Sequence, residues 1–92
     1  MAKVYESVLK PASGGFGMYD LGEFNFVDGI ETADQWADAA NENGFNVREA
    51  SELDGKVYGQ SGAKIYAIAP YNPATGETDE DRQSFHAVSV ED

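Results

Sequence analysis

The chain contains no cysteine. That absence excludes a disulfide framework, a thiolate zinc site and a cysteine nucleophile, and it fits a reducing compartment such as the cytoplasm. Long hydrophobic runs are missing as well. None approaches the roughly 18–20 residues of a membrane span, and the N-terminus lacks the apolar stretch of a signal peptide. Positive charge is scarce: 6 Lys and Arg stand against 17 Asp and Glu, a net charge of −11. Anionic membranes and nucleic acid both repel such a chain, so direct binding to either is not expected. A basic surface is the natural partner.

What is present describes a small folded domain. The one Trp, five Tyr and five Phe are more aromatic side chains than a disordered acidic chain carries. With 41% hydrophobic residues the 92-residue chain can form one modest core, and residues 1–92 read as one domain. The mean hydropathy of −0.49 marks it as highly soluble.

Lys3 to Leu9 is β-branched and aromatic and stops at Pro11, as a first strand would. A turn at Ala12–Gly15 leads into Phe16–Val27, whose Met18, Phe24 and Phe26 share one parity. Gly22 interrupts this second strand and predicts a bulge or bend. One helix follows. Thr32-Ala33-Asp34-Gln35 is a capping box in which Gln35 reaches back to the Thr32 amide, and Gly44 supplies a left-handed stop. The helix should run from about residue 33 to 43, with Ala33, Trp36, Ala37 and Ala40 facing inward.

Beyond it, Asp54-Gly55 predicts a hairpin between Phe45–Ala50 and Lys56–Gly59. Ser61-Gly62 marks a further turn, and Ala63–Tyr71 is a central strand that loses regular pairing at Pro70. Asn72–Asp81 reads as a long exposed loop, and Ser84–Val90 as the last strand. The expected class is α+β: a mainly antiparallel sheet of about four to six strands with one helix packed on it.

Motifs for chemistry fail on their spacing. Asp20–Glu31 has the length of a calcium loop, but Gly22 and Phe24 occupy ligand positions and Asn25 replaces the required glycine. Gly14-Gly15-Phe16-Gly17 is followed by neither a helix nor a lysine that would hold a phosphate. Gly59-Gln60-Ser61-Gly62 lacks the spacing of a nucleophile elbow. His86, the single histidine, has no partner nominated by spacing and reads as structural or surface. The tyrosines at 5, 19, 58, 66 and 71 are as well explained by cross-strand packing as by an interface. No enzyme activity, cofactor or metal site is expected.

The acidic side chains carry the sharper signal. Between Pro11 and Val47 stand Asp20, Glu23, Asp28, Glu31, Asp34, Asp38 and Glu42, without one lysine or arginine. An ordinary solvated surface intersperses both signs. Asp34, Asp38 and Glu42, at i, i+4 and i+8, form one column with a repeat of ~6 Å along the helix. Each like-charge pair costs a few tenths of a kcal/mol, and Glu42 opposes the negative end of the helix dipole. Glu77, Asp79, Glu80 and Asp81 form a second cluster.

Small size, absent cysteines and these two acidic sets resemble the phage-encoded inhibitors of bacterial defence, the anti-CRISPR proteins and antirestriction DNA mimics. The resemblance is one of class and matches no family motif. It implies a cytoplasmic monomer or homodimer that blocks the nucleic-acid channel of a host complex with these eleven carboxylates. Two alternatives share the same composition: a generic acidic interaction module, homodimeric through its strand edges, and a protein adapted to a saline cytoplasm.

Overall fold

Lys3–Pro11 forms β1, the strand around which the computed structural model is arranged; the structure describes residues 2–12, 14, 17–59 and 62–91. The turn read at Ala12–Gly15, the Phe16 start of the second strand and the turn at Ser61–Gly62 fall partly outside these residues. After β1 come β2 (Tyr19–Leu21), β3 (Asn25–Val27), helix α1 (Ala33–Glu42), β4 (Phe45–Glu49) and β5 (Val57–Tyr58). β6 (Lys64–Asn72), β7 (Glu77–Thr78) and β8 (Ser84–Glu91) complete the chain. The α+β reading holds, with eight strands in place of the expected four to six.

The sheet order is β4-β6-β8-β1-β2-β5, with β3 also on β1 and β7 on β6. All pairs are antiparallel except β2 with β5. The two surplus strands have local causes. The segment read as one strand to Val27 is divided at Gly22–Phe24, so β2 pairs with the far half of β1 (Leu9↔Leu21) and β3 with its near half (Val4↔Val27). A Cβ at Gly22 would stand 2.8 Å from the Val8 carbonyl oxygen, so the chain passes the β1 backbone there at a distance only glycine permits. The second surplus strand, β7, belongs to the stretch read as an open loop. Residues 72–76 turn back instead, and Glu77 and Thr78 pair with Asn72 and Tyr71.

Two further expectations are corrected. Asp54-Gly55 does not join a hairpin, because Ser51–Leu53 forms a 3-10 turn that carries the chain across the sheet to pair β5 with β2. Strand β4 pairs with β6 instead. Pro70 does not end pairing: it stands opposite Phe45. The β6–β8 ladder already stops at Ile68↔Ser84, so the amide that proline lacks breaks none of its bonds.

Alternation along the strands gives the sheet two apolar faces. Val4, Tyr66 and Val88 pack under Trp36 of α1, with Ala33, Ala37, Val47 and Ile68 around them. On the other face Leu9, Ile65, Ala67 and Ala87 are covered by Ala50, Leu53, Val57 and Ala63. Each cover is thin, and the molecule measures 39 × 38 × 19 Å.

Candidate functional site

Helix α1 begins as its sequence requires. Thr32 is the N-cap, and its hydroxyl accepts from the Gln35 amide at 3.1 Å. Gln35 reaches back to the amide of Glu31 (2.8 Å), one residue before the expected Thr32. At the other end Gly44 has φ +93°, the left-handed stop that a side chain rarely adopts. Helix orientation is set by Trp36, which is buried against Tyr66 and whose indole Nε1 donates to Glu6 of β1 at 3.2 Å. At ~100° per residue, Asp34, Asp38 and Glu42 then stand roughly 160–240° around the helix from Trp36, pointing to solvent. All three are exposed.

The charges on this face are unpartnered. Among the described residues the ion pairs are Arg48–Glu52, Lys64–Glu49, Arg82–Asp79 and His86–Glu6. Of the eleven expected binding carboxylates only Asp79 takes part. Arg48 holds Glu52 down to about 2 through a two-pronged hydrogen bond, at 2.9 and 2.7 Å, and is itself raised by it. Arg48 therefore has nothing to spare for α1, and no basic residue occupies the last turn of the helix.

All eleven carboxylates are exposed, but the fold sorts them into three groups. Asp28 and Glu31 lie in the β3–α1 connection, just ahead of the helix that carries Asp34, Asp38 and Glu42, and the Glu31 amide is bonded to Gln35 of its first turn. Glu77, Asp79, Glu80 and Asp81 lie past the C-terminal end of α1, where the Tyr71 amide donates to the Gly44 carbonyl at 2.9 Å and Asn46 bonds Thr78. Together with Tyr71 and Thr75 they border an open hollow of about 620 Å³. Asp20 and Glu23 lie in and just after β2, with β1 and β8 between them and the β6–β7 pair that carries the second cluster.

Sequence reasoning missed one polar cluster. His86, 8% exposed, bonds Glu6 through Nδ1 at 2.5 Å and Ser84 through Nε2 at 2.9 Å, beneath the Trp36 ring. The hydrogen bond from His86 holds the Glu6 carboxyl below its ordinary value, burial opposes this, and the Trp36 bond and the histidine charge add to it. Serine, histidine and carboxylate in series is also the order of a nucleophilic triad. Here Ser84 lies in regular β8, two residues from His86, with no strand-to-helix turn to raise its hydroxyl for attack. The cluster pins helix to sheet. Its only sequence signal was that Ser84 and His86, two apart in a strand, must share a face; Glu6 is 80 residues away.

Among the described residues no group of three or more His, Cys, Asp or Glu is placed to hold a metal ion, and no helix is long and apolar enough to cross a membrane. No family model, curated protein or solved structure matches the chain.

Proposed function

We propose that the chain is an acidic inhibitor that lays helix α1 against the basic nucleic-acid-binding surface of a bacterial defence complex, in the manner of an anti-CRISPR or antirestriction protein. The observation that supports it is the column Asp34, Asp38 and Glu42: exposed, without an ion pair among the described residues, and carried on a helix capped at both ends. Pre-organised carboxylates lose little freedom on docking and steer association with a positive groove. Asp28 and Glu31, exposed just ahead of the helix, add negative charge at its start, and the cluster at Glu77–Asp81 adds a second negative patch.

The triple variant Asp34→Lys, Asp38→Lys, Glu42→Lys tests this. It should fold, because the three side chains point away from the core and Lys at 42 suits the helix dipole as well as Lys at 34 opposes it. Association with the partner complex should slow by roughly 10- to 100-fold at low salt, and competition with nucleic acid should be lost. The same replacement at Glu77, Asp79 and Asp81 should cost less, since Arg82 already partners Asp79. A folded helix variant that still competes fully with nucleic acid would refute the mimicry.

A further inference from the structure

On the sheet face away from α1 stands a group of aromatic rings that inhibition through the helix does not use. The apolar cluster on that face includes Leu9 of β1 but leaves out Tyr5. Tyr5 instead meets Phe26 across the β1–β3 ladder, with ring centroids 5.8 Å apart and planes at 57°. Phe24 lies beside them, and Tyr5, Phe24, Ser89 and Glu91 line an open cleft of about 410 Å³. Phe26 is 55% exposed and Phe24 38%. Grouped exposed rings mark an interaction site more often than scattered ones do. The charge beside them is acidic: Glu91 is in the cleft and Glu23 precedes Phe24. Lys3, opposite Glu91 in the β1–β8 ladder, offsets one of these charges.

We infer that this cleft seats an arginine side chain carried on an extended segment of a partner protein. A guanidinium is planar and weakly hydrated, so it lies against aromatic faces while its edge meets a carboxylate. Tyr5 and Phe24 supply the faces and Glu91 the carboxylate. A purely apolar occupant would cover Glu91 without pairing it, which costs free energy. A second copy of the chain would bring Glu23 and Glu91 against carboxylates of its own kind, and a nucleic acid would be repelled outright. The cleft lining includes no residue of α1, so it is separate from the helix column.

The test is an NMR titration of the full chain, at physiological salt, with a short peptide of alternating arginine and glycine. Shifts should concentrate at Tyr5, Phe24, Phe26 and Glu91. Changing the peptide's arginines to lysine should weaken binding by roughly fivefold, the share owed to stacking and the planar fork. Phe24→Ala and Glu91→Gln should each weaken it by a similar factor, with Phe26→Ala as the substitute should Phe24→Ala unfold. The helix triple-lysine variant should still bind there, which separates this inference from the proposed inhibition. Equal binding of both peptides, or affinity unchanged in Phe24→Ala, Phe26→Ala and Glu91→Gln, would overturn it. So would a dimer of the free chain that Phe24→Ala dissociates, because a second copy would then be the occupant.

Discussion

Glu6 is the acidic residue whose environment differs most from that of the other carboxylates. Its two oxygens take hydrogen bonds from a histidine on β8 and a tryptophan on α1, so one side chain joins three elements. Glu6→Gln should cost about 1.5–3 kcal/mol, the usual worth of hydrogen bonds to a charged group, measured by urea unfolding. The effect should depend on pH. Because the folded-state pKa of Glu6 is lowered, its contribution is present above the ordinary carboxylate value of 4.5 and disappears as pH falls through the folded value. Acid also relieves the repulsion among the other carboxylates, but equally in both proteins. The stability gap between wild type and Glu6→Gln should therefore be full above pH 4.5 and close below it. A gap that persists unchanged into acid would show that the glutamate is not held as an ion.

At the scale of elements, Gly22 decides how β1 is shared. By bringing the chain against the Val8 carbonyl, it lets one segment supply β2 to one half of β1 and β3 to the other. The clashing atom is backbone and cannot swing aside. Gly22→Ala should therefore destabilise the fold by about 1–3 kcal/mol, the range of overpacking substitutions, and its amide-exchange protection should fall in β2 and β3 before α1. An unchanged unfolding midpoint would mean that the two strands do not need this close approach. Elements read from local chemistry kept their places: β1, α1 with its Thr32 cap and Gly44 stop, and β8. Those that depended on a distant partner did not. Asp54-Gly55 has hairpin residues, but β4 gains a longer ladder with β6 than β5 could offer.

For the whole molecule the governing quantity is net charge. A plate 19 Å thick cannot bury charge, so nearly all of the −11 is at the surface and opposes compactness. Covers on both sheet faces and the pinned Trp36 oppose that repulsion. The chain should melt cooperatively in dilute buffer, with a midpoint that rises modestly as salt screens the surface. Fluorescence of the single tryptophan, buried against Tyr66, reports it directly. If structure instead forms only in molar salt, the acidity is an adaptation to a saline cytoplasm, and the proposed inhibition loses its electrostatic basis.

The fold class, the single helix with its caps and inward face, and the outward column of Asp34, Asp38 and Glu42 were determined by the sequence itself. Each follows from residues within a few positions of one another, where spacing dictates geometry. Only the tertiary structure decided which carboxylates share a surface. It set Asp20 and Glu23 two strands from the β6–β7 cluster and tied Asp79 to Arg82. It likewise brought Glu6 to His86 and Tyr5 to Phe26. Those pairings depend on strand order, and strand order is chosen by the burial of both sheet faces together rather than by any local signal.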